Sequence, residues 1–198
     1  MAKAKPFIKW AGGKGQLIEQ LEELLPADFD NWGNVTYIEP FVGGGAMLFY
    51  MLQAHPNITH AVINDINPKL TACYEIIRDF PEQFIASLQE IQDEYYALPD
   101  EETKKQFFLG KRKAFNGELD RFDMSTIFFF LNRTCFNGLY RENKKGEFNV
   151  PFGKYSTPTI CDADTILADS KLLQNVEILT GGYQQVLERA DGATLFYF

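Results

Sequence analysis

The sequence predicts an open α/β fold, a parallel nucleotide-binding sheet interrupted by a helical and hairpin insertion, and three observations predict it. A short apolar strand at 35–39 runs into Pro40 and the glycine run Gly43-Gly44-Gly45, and a helical stretch follows at 46–53. A second strand, Ala61-Val62-Ile63, ends at Asn64-Asp65. Strand, glycine turn, helix and strand with an acidic end make the βαβ pattern of such sheets. Beyond residue 80 the alternation stops, and 81–96, 103–115 and 125–135 all read as helices.

The remaining elements follow in order. Residues 16–25 carry Leu17, Ile18, Leu21, Leu24 and Leu25 at helical spacing and end at Pro26, so they predict a short amphipathic helix. Asn67 is a suitable N-cap, with Pro68 at the favoured first helical position, for a helix towards Asp79. Residues 136–155 are rich in turn formers and predict a hairpin. A third strand is expected at 176–179, a helix at 184–190 and a fourth, aromatic strand at 194–198. The division that results is 1–80, an insertion at 81–158, and a return to the sheet at 159–198.

With 198 residues, 45% of them hydrophobic and 15% aromatic, the chain has the composition of a globular protein. The formal net charge of -8 argues against a general polyanion binder. The charge is uneven, however. Residues 104–121 hold six basic residues against two acids, and residues 133–155 hold five against two. A basic surface on an acidic body suits a polyanion at one face. Cys73, Cys135 and Cys161 are odd in number and unpaired by spacing, which fits reduced thiols in a cytoplasm rather than a disulfide or zinc framework. Residues 127–131 are too short to cross a bilayer, and the N-terminus has no apolar signal core, so no membrane role is expected.

Four segments carry the chemistry. Glycines at 43–45 let the backbone turn sharply and approach a ligand, although a tight strand–helix turn would need them equally. Asp65 lies 20 residues beyond Gly45, where a strand-end carboxylate can accept from both hydroxyls of a ribose. Taken alone it would serve a turn; joined to the glycine run it favours a ligand. Lys9-Trp10-Ala11-Gly12-Gly13-Lys14 is followed by Gly15-Gln16, so it is no Walker A loop. It could fold over a ligand instead, Trp10 offering a stacking face and Lys14 a positive charge for a carboxylate. In the fourth segment, 132–155, Asn, Arg and Lys alternate with aromatics. Arg can bridge guanine O6 and N7, and exposed rings can fill an opened base stack. Phe148, Val150 and Phe152 read more simply as a half-buried strand.

In this order and spacing the four segments resemble the Dam-like, D12-class, α-group DNA adenine N6-methyltransferases, over nearly the whole chain. The resemblance implies an S-adenosylmethionine-dependent methyltransferase sheet, incomplete in this chain, with residues 1–80 binding the cofactor and 81–158 as an inserted target-recognition unit. S-adenosyl-L-methionine is the implied methyl donor, with no metal, and the implied partner is double-stranded DNA. Carried over by residue, Trp10 and Lys14 contact the cofactor. The loop containing Phe41, Gly43 and Gly45 passes its methionine moiety, Asp65 holds its ribose, and Tyr183 borders its adenine. Phe136 and Asn137 wedge beside the extruded adenine, Leu139 and Arg141 read bases, and Asn149, Lys154 and Tyr155 contact the backbone. The expected target is GATC, and related enzymes serve restriction-modification.

Two departures stand out. The family's usual Asp-Phe is replaced by Gly182-Tyr183, which removes a carboxylate that could read the cofactor's adenine amino group. Leu195-Phe196-Tyr197-Phe198 resembles the strand that feeds the catalytic Asp-Pro-Pro-Tyr, and no Asp-Pro-Pro or Asn-Pro-Pro occurs in the 198 residues. The catalytic residues are therefore expected immediately after Phe198, with none in this chain. These 198 residues are expected to bind rather than react, and to self-associate through an uncovered sheet. A non-catalytic DNA- or cofactor-binding remnant is the alternative; a phosphate-binding enzyme would rest on Gly12-Gly13-Lys14 alone.

Overall fold

The computed structural model describes residues 2–13 and 15–198. Its centre is a four-stranded sheet of order β3-β2-β1-β4, formed by β1 (Val35–Glu39), β2 (Ile58–Asp65), β3 (Val176–Thr180) and β4 (Thr194–Phe196). All three pairings are parallel: Tyr37 faces Ala61 on one side and Leu195 on the other, and Ile63 faces Ile178. Every residue of β1 is buried, as expected of a central parallel strand covered on both faces.

The two sheet faces are unequal. Val35, Tyr37, Ala61, Ile63 and Val176 join the large core beneath the helices, whereas Ile38 and Val62 meet only Val186, Leu179 and Phe196. That alternation is the two-residue period of a strand. Over the large face lie α2 (Ala46–Ala54), α3 (Pro68–Asp79), α4 (Pro81–Ala97), α5 (Glu101–Phe115), α6 (Arg121–Thr134) and α7 (Ala163–Leu173). The core runs without a break from the sheet into α4, α5 and α6 through Phe84, Phe108, Phe129 and Phe130. Phe7 of the N-terminal segment stacks on Phe129 at 5.3 Å, which ties the chain's start to α6.

Several elements differ from the expected ones. The first helix, α1 (Ile18–Glu22), is five residues long behind a 3₁₀ turn, and Leu24 is left 79% exposed. A helix so short depends on tertiary anchors, here Ile18 and Leu21. Residues 136–155 form no regular hairpin: the antiparallel pairing is limited to the bridges Cys135–Phe152 and Glu142–Phe148. Positive φ at Asn137, Gly138, Gly146 and Lys154 interrupts any ladder there. Phe148 and Val150 are buried and Phe152 is half-buried, but no strand runs through the three as the alternation suggested. The helix expected at 184–190 is a 3₁₀ turn, Tyr183–Arg189, and the last strand ends at Phe196. Helix α7 was not expected. Its N-cap, Asp162, accepts from the Thr165 amide at 3.2 Å.

Among the described residues, no helix is long and apolar enough to cross a membrane.

Candidate functional site

The strand order reverses at β1, whose neighbours are β2 on one side and β4 on the other. In open α/β sheets, ligands bind outside the carboxyl ends of the strands at such a point. A cleft of about 380 Å³ lies there, walled by Trp10, Gly12 and Gly13, floored by Glu39 and the 41–45 loop, and closed by Asp65, Tyr197 and Phe198.

The loop is built for close approach. Gly43 and Gly45 have φ of 50° and 74°. A Cβ on Gly43 would lie 2.9 Å from the Trp10 ring, and one on Gly45 would lie 2.5 Å from the Tyr74 hydroxyl. Neither position tolerates a side chain. Tyr74 of α3 holds the loop from below, its hydroxyl donating to the Gly43 carbonyl at 2.9 Å.

Asp65 binds this loop to the next helix. Its Oδ2 accepts from the Gly43 amide at 3.2 Å and its Oδ1 from the Asn67 amide at 2.9 Å. Each oxygen keeps a lone pair for a ligand hydroxyl. Asn67 then caps α3, accepting from the amides of Lys69 at 3.0 Å and Leu70 at 3.4 Å. The neighbouring Asn64 is buried and donates to the carbonyls of Pro40 and Gly181, both at 3.0 Å, so it ties the loops that follow β1 and β3 to the end of β2.

Two cleft residues escaped the sequence reading. Glu39 ends β1 almost fully buried and accepts from the Tyr37 hydroxyl at 2.9 Å. Burial, reinforced by Glu39, pushes the Tyr37 phenol well above its ordinary range, so it stays a donor. Tyr197 also borders the cleft, and its hydroxyl is sealed from solvent without a hydrogen-bond partner among the described residues. A strand-final carboxylate was the available signal for Glu39; the sealed hydroxyl has none in sequence. Glu39 and Asp65 both contribute carboxylates to the cleft lining.

The expected site residues are placed as follows. Trp10, Phe41, Gly43, Gly45 and Asp65 all line the cleft. Lys14 lies outside the described residues. The described lining does not include Tyr183, whose ring lies 5.7 Å from that of Phe41. A Cβ on Gly182 would meet only the flexible end of Gln184, at 2.7 Å, so backbone crowding does not demand glycine there.

Phe136, Asn137, Leu139 and Arg141 form an exposed strip. The turn that carries them is held by backbone bonds from Phe136 to Pro151 at 2.9 Å and from Gly153 to Thr134 at 2.8 Å. Arg141 is preset by Asn149, to whose Oδ1 its Nε donates at 2.7 Å. Lys154 pairs with Glu101 at 2.9 Å, and Lys9 sits 5.6 Å over the Tyr155 ring. Elsewhere the basic surface is partly neutralised, Lys111 meeting Glu94 and Lys105 meeting Glu102. Lys113, Lys144 and Lys145 have no acidic partner among the described residues.

Residues 10–198 match the family model described as D12 class N6 adenine-specific DNA methyltransferase. The chain is 45% identical over 199 residues to the type II methyltransferase M.MjaIII of Methanocaldococcus jannaschii, an alignment covering 99% of this chain and 68% of that protein. It is 34% identical over 200 residues to M1.LlaDCHI of Lactococcus lactis subsp. cremoris, covering 98% and 64%. With the DNA adenine methylase of Escherichia coli K12 it shares 30% identity over 197 residues, covering 100% and 64%. The chain thus spans about two thirds of the length of these relatives.

Proposed function

The chain belongs to the D12 class of N6 adenine-specific DNA methyltransferases, and from that membership we propose that it supplies the cofactor-binding and target-reading parts of an enzyme that methylates adenine N6 in duplex DNA, at GATC. The observation that carries this reading is the cleft at the strand-order reversal, with its glycine loop and two carboxylates. S-adenosyl-L-methionine, when bound, supplies an electrophilic methyl group.

The residues present fit such a ligand. Asp65 offers acceptors for ribose hydroxyls, and Glu39 offers a carboxylate to an ammonium. Trp10 and Phe41 supply apolar walls that exclude water, and the side-chain-free Gly43 and Gly45 admit the ligand against the backbone. Gly15-Gln16 after Lys14 departs from the Walker A pattern, which disfavours the alternative of a phosphate-binding enzyme. On the exposed strip, Phe136 and Asn137 enter the duplex beside the displaced adenine, Leu139 and Arg141 read bases, and Asn149, Lys154 and Tyr155 contact the backbone. Residues 81–158 serve as the recognition unit.

The 198 residues contain no Asp-Pro-Pro or Asn-Pro-Pro, the element that accepts hydrogen bonds from the target amine. On this reading the 198 residues bind S-adenosylmethionine and duplex DNA. Calorimetry with S-adenosylmethionine and with a GATC duplex tests both statements. Absence of cofactor binding removes the functional reading, and absence of duplex binding removes the target-reading role.

Arg141→Ala is expected to lose discrimination at one base pair, at a cost of about 1–3 kcal/mol for a bidentate contact. Competition binding with single-base variants of the duplex measures it. Equal weakening on every sequence would make Arg141 a phosphate contact.

A further inference from the structure

Asn132 occupies the middle of the molecule, on α6, with 2% of its surface exposed. Its side chain pairs with one residue of the N-terminal segment in both directions. Oδ1 accepts from the Lys9 amide at 2.9 Å, and Nδ2 donates to the Lys9 carbonyl at 2.8 Å. The second hydrogen of Nδ2 goes to the Gly138 carbonyl at 3.0 Å, inside the exposed turn. One buried amide thus fixes the residue before Trp10 and the turn that carries Phe136, Asn137 and Leu139.

The two segments also touch directly. Gly138 has φ of 62°, and a Cβ there would lie 2.5 Å from the Lys9 side chain. Trp10 packs its edge over Gly43 in the cleft, while Tyr140 stacks on the Trp10 ring at 5.3 Å and 25°. The Tyr140 hydroxyl bonds to Glu142, which also takes Lys69 Nζ at 2.7 Å. Lys69 stands in the first turn of α3, capped by Asn67 beside Asp65. The cleft therefore reaches the turn from both walls, through Trp10 and through Lys69.

We propose that Asn132 is a positioning residue that sets the cleft wall at Trp10 and the target-reading turn together, so that filling the cleft orders the turn, with the Trp10–Tyr140 stack as the contact that transmits it. The proposal rests on the cofactor reading of the cleft. Two rigidly linked segments respond as one when either is loaded, which is a coupling free energy between sites. Since Asn132 has all its bonds inside the protein, its effect on ligands is indirect.

Amide hydrogen exchange on the 198-residue chain, with and without S-adenosylmethionine, tests the coupling without knowledge of the target sequence. The wild type is expected to slow exchange at 41–45 and 64–67, and about fivefold or more at 136–141, the lower end of usual couplings. Asn132→Ala should abolish the response at 136–141, and Tyr140→Leu should diminish it, both with protection of the cleft loops retained. Tyr140→Phe keeps the stack and should respond as wild type. A merely structural Asn132 would loosen the turn equally with and without cofactor and leave the difference intact, which overturns the proposal. If Asn132→Ala does not fold, Tyr140→Leu decides alone, and an unchanged response in it overturns the proposal. Protection of the wild-type cleft without the turn also overturns it while sparing the cofactor reading. No protection anywhere removes that reading and the proposal with it.

Discussion

Asp65→Ala is expected to weaken S-adenosylmethionine binding at least about a hundredfold and to lower the melting temperature of the ligand-free chain. The two effects share one cause. The carboxylate accepts from the amides of Gly43 and Asn67, at 3.2 and 2.9 Å, and so joins the glycine loop to the start of α3. Removing it orphans both amides, and each half-buried donor left unmet costs about 1–3 kcal/mol. The glycine loop is then released, and the oxygens proposed to accept from the ribose hydroxyls go with it. A hundredfold loss corresponds to about 2.7 kcal/mol, within reach of two charge-assisted hydrogen bonds. Asp65→Asn should fall between, because one oxygen still accepts while the amide nitrogen confronts a backbone N–H. Calorimetry and thermal melts on the three proteins read both effects. Wild-type affinity in Asp65→Ala would remove the carboxylate from the ligand site and leave it a loop anchor.

The elements that surround Asp65 were the most legible in sequence, and for local reasons. Strand β1 has the predicted bounds, and α3 runs from Pro68 to Asp79 as its cap and proline required. These signals are carried by neighbours in the chain: an apolar run, a glycine turn, an Asn-Pro cap. Helix α7 was illegible because its inner face is not apolar. Asp169 and Ser170 are both buried there, and they blur the stripe of Ile166 and Leu173. The irregular path of 136–155 is set by positive φ at four of its positions, two of them not glycine, and composition alone does not reveal those. In the site, the glycine loop and Asp65 could be read from spacing. The stack of Trp10 on Tyr140 joins residues far apart in the chain, and the sealed Tyr197 hydroxyl is a property of packing. Neither leaves a mark in the sequence.

The same buried Asp169 that hid α7 gives the second large expected effect, a loss of stability on the alkaline side. Its Oδ1 accepts from the Lys5 amide at 3.0 Å, while its Oδ2 is buried without a partner among the described residues. Burial pushes the carboxyl from 3.8 up to about 8, the Asp162 charge adding to the rise and the Lys5 amide opposing it. The native chain therefore keeps a proton that the unfolded chain has already released across that interval. Stability from this group is fully present below about pH 4 and declines as pH climbs, by at most about 1.4 kcal/mol per unit, until it levels off above about pH 8. Asp169→Asn keeps the acceptor for Lys5 and cannot ionise. Urea midpoints at pH 5, 7 and 9 should then differ least at pH 5 and separate further in favour of the variant towards pH 9. The comparison cancels the titration of every group common to both, so a gap that does not widen with pH would show that Asp169 is already ionised in the native state. That outcome would place an unseen positive partner or water at Oδ2, whereas a widening gap makes the protonated carboxyl part of the contact between α7 and the N-terminal segment, the segment that carries Trp10 into the cleft.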